Sequence, residues 1–309
     1  MINSVRNTVL SILNKNNYGY ISPSDFNLYA KQAQLDIFDG VFKDYNYQVN
    51  KENARQSGTG YADIKKGYEE VIDTFSTTSF LTKVGGNIYS APASSYLLNK
   101  VLVYTTTLTT GAVDSVVANQ LVDSTATFIT DGISVGDIVI NTNSDTNAEV
   151  WEVSSETVLV LSSDIFPNFG ERYTIYSGRV GLNDAEFLSQ RKATMLNASL
   201  LTTPTEIFPA YSQSGSTLKL YPNSIIEYGR VQCQYIRYPL DPKWTYSALT
   251  GGEPMFNQSQ PDYQDFELPL DYELELIMKI LQYSGMSIRE ISAVQFAQAV
   301  EQKNDMDDK

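Results

Sequence analysis

The chain has 309 residues, 42% hydrophobic and 19% charged, a balance that fits a folded protein with a sizeable core rather than a disordered one. It holds no histidine and one cysteine, so it has no Ser-His-Asp or Cys-His nucleophile, no histidine-based zinc or iron site and no internal disulfide framework. Its formal net charge of −14 argues against a phosphate-neutralising surface, although an acidic wall suits DNA that must pass without sticking.

Catalysis is thereby narrowed to carboxylate or Ser-Lys chemistry. No apolar run approaches the roughly 18 residues that span a bilayer, and Arg6 and Asn7 interrupt the opening where a signal peptide would be apolar. A soluble chain made in a cytoplasm, with no membrane partner, is expected. The abundance of Tyr, Asn, Ser and Thr suits wet protein interfaces better than a catalytic cleft.

Ile2, Val5, Val9, Ile12 and Leu13 recur at helical spacing and predict a first helix to about Asn14. The stretch NKNNYGYISPSD (14–25) then imitates a calcium loop, with Gly19 sixth and Ile21 eighth. It places Asn14 and Asn16 where acids belong and offers one short acid, Asp25, at the end. That is too little charge for a divalent cation. The same residues read better as the turn of a helical hairpin. Ile21 sits at N′, Ser22 at N-cap, Pro23 at N1, Asp25 at N3 and Phe26 at N4, which supplies both a capping box and a hydrophobic staple. Phe26, Ala30, Ala33, Ile37, Val41 and Tyr45 continue the stripe to about Asn50, a helix of roughly 40 Å. NARQSGTG (53–60) is a loop, and a third helix carries Ile64, Tyr68, Val71 and Phe75 on one face.

After Phe75 the texture turns to Thr, Val, Gly and Tyr. KVLVYTTTL, GSTLKLYP and GRVQCQYIRYP predict strands of one sheet, with Cys233 a small buried residue on the last. Between them AVDSVVA, ATFI, GDIVINT, AEVWEVS, TVLVLSS and ERYTIYS predict a small all-β module, barrel- or sandwich-like, over 108–177. It interrupts a discontinuous domain made of 1–107 and 178–309. Residues 184–201 predict a helix. PLDPKWTYSALTGGEPMFNQSQPDYQDFELP (239–269) has no period, as segments that are functional or ordered by a partner often do not. Leu270, Leu274, Ile277, Met278 and Leu281 predict a helix stopped by Gly285. Ser287 then caps a last one, with Glu290 at N3. The fold class is α+β: a helical hairpin or bundle with a β-sheet core, an inserted all-β module and C-terminal helices.

Few constellations could carry chemistry. The acids of DYQDFELPLDYELEL invite a glycosidase reading, but those flanking the predicted helix start are better explained by its dipole. VGGNIY (84–89) and TGGE (250–253) lack the spacing and the Lys-Ser/Thr of a phosphate loop. YIRYPLDPKW groups Arg237, Lys243 and Trp244 among tyrosines, and in an acidic chain these suit an interface anchor more than a nucleic-acid platform. The β module could bind a sugar or calcium, yet no spacing in it identifies a ligand.

Three blocks together resemble a neck protein of crAss-like tailed bacteriophages. They are MINSVRNTVLSILNKNNYGYISPSDFNLYAKQAQLDIF, PTEIFPAYSQSGSTLKLYPN, and YIRYPLDPKW with FNQSQPDYQDFELP and LIMKILQYSGMSIRE. The segment GAVDSVVANQLVDSTATFITDGISVGDIVINTNSD is similar to a β module that recurs in phage virion proteins. The resemblance implies a structural head–tail connector, not an enzyme, with no cofactor or metal. It implies a homo-oligomeric ring, usually twelvefold, stacked below the portal protein beside other neck and tail rings, with genomic DNA passing through its lumen unbound. The helices Pro23–Asn50 and Pro269–Tyr283 would pack in such a ring, with Phe26, Tyr29, Ile37, Arg237, Trp244 and Phe266 as candidate interface anchors. The alternative is a tail-associated receptor- or glycan-binding protein that uses the β module.

Overall fold

A computed structural model describes residues 1–13, 21–54, 62–226, 228–248, 251 and 253–288. The chain divides into two compact units, Met1–Phe75 with Tyr238–Lys309, and Ser76–Arg237. The boundary falls where the sequence changes texture, but it does not keep the two flanks of the module together. The helices form one unit with the residues from Tyr238 on, and the flanking sheets join the module in the other.

In the first unit, α1 (Ile2–Leu13), α2 (Pro23–Ala54) and α3 (Ala62–Thr74) follow the apolar stripes. The helix start at Ser22 is present. Asp25 N–H donates to Ser22 Oγ at 3.1 Å, and the hydroxyl donates back to Asp25 Oδ2 at 2.7 Å. Asp25 is therefore occupied by the cap; residues 14–20 of the calcium-like stretch lie outside the described residues. Phe26, Ala30, Ala33, Ile37 and Val41 are buried along α2, and Phe38 meets Phe75 edge-to-face at 5.1 Å.

Further along, α4 (Gln190–Asn197) belongs to the second unit, and α5 (Glu273–Ile288) returns to the first, where it packs on α1 and α2. The expected stripe on α5 is corrected. Leu276, Ile277, Ile280, Leu281 and Ser284 are buried, whereas Leu270 and Leu274 are 72% and 63% exposed. Two apolar faces were available at helical spacing, and packing uses the one that begins a turn later. A 3₁₀ turn, Leu270–Tyr272, takes Leu270 out of the helix altogether. Gly285 does not stop α5, and Ser287 lies within it rather than capping another helix. Glu290 lies outside the described residues.

The second unit corrects the single predicted sheet. A four-stranded sheet runs in the order Ser76–Phe80, Val231–Arg237, Ser95–Tyr104, Leu182–Asp184. A five-stranded sheet runs Glu186–Phe187, Ala210–Ser214, Thr217–Tyr221, Ile88–Ser90, Thr82–Gly85. Val101, Val103, Val231 and Cys233 of one share a core with Tyr89, Tyr211, Leu218 and Leu220 of the other. Alternation gives each strand a single apolar face, so these strands are matched by their faces and not all by their edges. The helix predicted over 184–201 shrinks to α4 because sheet pairing claims Leu182–Asp184 and Glu186–Phe187. Ser189 Oγ then caps α4 by accepting Lys192 N–H at 3.3 Å.

The module is one seven-stranded sheet, which corrects the expected barrel or sandwich. Its order is Thr107–Ala112, Arg172–Tyr176, Ile138–Asn141, Thr146–Val153, Val158–Leu161, Gln120–Val122, Ser115–Val117. The first and last members are consecutive in the chain, and one core, including Val113, Leu121, Val139, Val150, Leu159 and Ile175, draws on both ends of the order. ATFI is not a strand. Phe128 lies on a turn and is buried in that core. Ser177 N–H donates to Thr106 O at 2.9 Å, so the two connections to the flanking sheets run side by side. Among the described residues, no helix is long and apolar enough to cross a membrane.

Gly111 is required by packing. A Cβ there would collide with Tyr173 Oη and Asp123 Oδ2, which are themselves joined by a 2.7 Å hydrogen bond. Gly40 of α2 has open space around it. Gly111→Ala is expected to lower the unfolding free energy of the second unit by about 1–3 kcal/mol. Gly40→Ala is expected to raise that of the first by about 0.5–1 kcal/mol. Denaturant unfolding, followed by a probe in each unit, checks both signs.

Candidate functional site

The aperiodic segment from Tyr238 to Pro269 is fixed by the helices of its own unit. Trp244 is 2% exposed. Its indole N–H donates to Asn3 Oδ1 at 3.0 Å, and the Arg6 guanidinium lies 3.8 Å over its ring. Trp244 N–H donates to Asn27 Oδ1 at 2.8 Å, and Asn27 Nδ2 donates to Trp244 O at 3.2 Å. Gln34 repeats the arrangement, donating to Leu240 O at 2.8 Å and accepting Glu267 N–H at 3.1 Å. Within the segment, Tyr246–Ala248 pairs with Pro254–Phe256 and Lys243 with Gln264, and side-chain amides on the helices satisfy backbone groups outside those short pairings.

These contacts revise the predicted anchors. Phe26, Ile37, Trp244 and Phe266 are buried inside their own chain and have no face left for a neighbour. Tyr29 and Arg237 are half-buried, one in each unit. No motif or spacing marks Arg6, on the apolar side of α1, as the group that covers Trp244.

The acids of DYQDFELPLDYELEL are held by structure. Asp262 pairs with Lys243 at 2.5 Å, and Glu267 accepts Leu240 N–H at 2.7 Å. Asp265 accepts Ile2 N–H at 2.7 Å and so caps α1 from a distant part of the chain. Burial opposes its charge, but the terminal amine and the amides of Ile2 and Phe266 outweigh it and hold its pKa below the usual carboxylate range. Asp271 and Glu275 line an open cleft of about 580 Å³ with Glu70, Tyr68 and Tyr272. The Cys233 thiol is buried on its strand, and that burial pushes its pKa up, away from a reactive thiolate. Among the described residues, no group of three or more His, Cys, Asp or Glu could hold a metal ion.

The exposed apolar surface of the second unit is concentrated after α4. Leu200 and Leu201 are 99% and 97% exposed, with Phe208 at 77% and Met195 and Ile207 close behind. Turns hold the loop's backbone. Thr203 N–H and Oγ donate to Ser199 O at 3.0 and 2.6 Å, Thr202 Oγ donates to Leu196 O at 2.9 Å, and Thr205 N–H donates to Phe208 O at 3.2 Å. Pro204 and Pro209 are buried at its base. Glu206 fastens it to the sheets, meeting Arg230 Nη2 at 2.6 Å and accepting the Ser224 hydroxyl at 2.7 Å. Those two partners, the hydroxyl first, keep the Glu206 pKa below the usual carboxylate range. Arg230 is nearly buried, donates to Tyr104 O at 2.6 Å and lies 5.5 Å from the Tyr176 ring.

An ordered loop that holds leucine side chains in water marks a surface to be covered. Periodicity misplaced it, because the helix expected over 184–201 takes in Leu200 and Leu201, whereas α4 ends at Asn197. A signal did exist in the charge. No Asp, Glu, Lys or Arg occurs from Ala193 to Thr205.

No protein-family model matches the chain, and no curated protein matches it.

Glu206→Gln removes the charge that faces the Arg230 guanidinium. It is expected to destabilise the second unit by about 1.5–3 kcal/mol and to speed chymotrypsin cleavage at Leu200, Leu201 and Phe208. Unchanged cleavage kinetics would show that the pair does not fix the loop.

Proposed function

We propose that the chain is a structural subunit of a phage neck, a ring-forming head–tail connector that sits in the virion below the portal protein. It works by assembly and by framing the DNA exit channel, with no cofactor and no catalytic step. The observation that carries this reading is the turn-held, solvent-exposed loop of Leu200, Leu201 and Phe208, charge-free from Ala193 to Thr205, which has the character of a subunit contact. The resemblance of both flanking regions to neck proteins of crAss-like phages supports it and supplies the expectation of a twelvefold ring. So does a net charge of −14, which lets genomic DNA pass through the lumen without specific binding.

A second reading is favoured by Trp151 and Phe169, which are 61% and 75% exposed on the β module: a receptor- or glycan-binding protein of the tail. Glycan-array binding by the full chain, lost in Trp151→Ala, would support it.

Native mass spectrometry of the purified chain, alone and with its portal protein, tests the first reading. A closed oligomer of one copy number that binds the portal is expected. A strict monomer that never joins the portal complex would overturn it.

A further inference from the structure

We propose that the apolar loop of one copy seats in an uncharged cleft at the far end of the same sheet on the next copy, so that assembly runs head to tail. This deepens the ring reading above and rests on it for the number of copies, though not for the contact itself.

The cleft lies where the turn Gln213–Ser216 meets the segment Ala91–Leu98. It encloses about 490 Å³, and its walls include Pro92, Ala93, Tyr96, Leu97 and Gly215. No lining residue carries a charge. Leu97 is half exposed there, an apolar side chain with one face in water. Ser95, Gln213 and Ser216 make its lining as much polar as apolar, and a hollow of this size accommodates several side-chain groups.

Charge selects the occupant. Two copies of a chain carrying −14 repel one another over most of their surfaces, and contact is cheapest where both faces are neutral. The run Ala193–Thr205 and the lining of the cleft are two such faces in one unit. One is a protrusion and the other a hollow. A basic partner would find no carboxylate to pair with in either, so a second copy of this chain fits better.

Geometry makes the contact intermolecular. Strand Ala210–Ser214 begins just after Phe208 and Pro209 at the base of the loop, and it ends at the turn that forms the cleft. Its five residues separate the two features by about 17 Å along the strand at roughly 3.3 Å per residue. A copy therefore presents its protrusion at one end of the sheet and its hollow at the other. A contact between two different patches is heterologous, and it generates a ring when the rotation between neighbours closes. The Glu206–Arg230 pair and the loop's own turns fix the protrusion before contact, which lowers the ordering cost of binding.

Crosslinking tests the pairing directly. Full chains carrying Leu200→Cys are mixed under mild oxidation with differently tagged chains carrying Leu97→Cys; native Cys233 is buried. A disulfide-linked heterodimer is expected in severalfold excess over a control mixture of Leu200→Cys with Val84→Cys, an exposed site of the same unit. Yields equal to the control would overturn the proposal. Leu201→Asp spoils the protrusion and Leu97→Asp the hollow, and melting curves check that both variants fold. Neither variant alone should assemble, and their mixture should stop at a heterodimer, since one usable protrusion meets one usable hollow. Assembly of either variant at the wild-type level would equally overturn it. Closed oligomers without the crosslink would reject this contact and leave the ring reading standing. The crosslink without closed oligomers would do the reverse.

Discussion

The second unit depends on one buried cation. Arg230 precedes the central strand of the four-stranded sheet, and its guanidinium reaches Tyr104 O, the Tyr176 ring and the Glu206 carboxylate. Tyr104 ends the strand that leads into the β module, and Tyr176 ends the strand that leads out. Glu206 belongs to the exposed loop. A guanidinium out of water costs several kcal/mol unless it is paired and its donors are used. That demand holds loop, sheet and module connections in one arrangement. The loop's leucines stay in water because the residues beside them are committed elsewhere.

The same logic, with neutral groups, organises the helical unit. The stretch containing Trp244 pairs only part of its own backbone, so Asn27 and Gln34 of α2 satisfy more of it, and Arg6 covers the indole face. In both units the polar residues that matter are few, and each binds a segment far away in sequence. Most acids stay at the surface, although Asp123, Asp137 and Glu171 are buried in the β module. The proposed contact between loop and cleft avoids that charge.

Local chemistry was legible in the sequence. The start of α2 at Ser22, the stripe through Ile37 and Val41, the change of texture at Phe75, the burial of Cys233 and most module strands follow from caps, period and turns. Pairing was not legible. Alternation tells which face of a strand is apolar but not which strand lies opposite, so one expected sheet is two. Leu274 and Leu276 both lie at plausible helical positions, and only packing against α1 and α2 decides between them. Trp244, expected as an interface anchor, is buried within its own chain, and its partners, Asn3, Arg6 and Asn27, are more than 200 positions away. The loop escaped because Leu200 and Leu201 fall inside the helix expected over 184–201, and pattern alone does not show that the helix stops at Asn197. Its lack of charge was the one available sign.

The central claim is that the chain acts as a ring built through its second unit. A cryo-electron microscopy reconstruction of the chain assembled with its portal protein tests this most directly. The expected result is a cyclic array in which density for Leu200 and Leu201 enters the neighbouring copy beside Leu97. A particle in which the chain is monomeric, or in which that loop projects freely into solvent, would contradict the account.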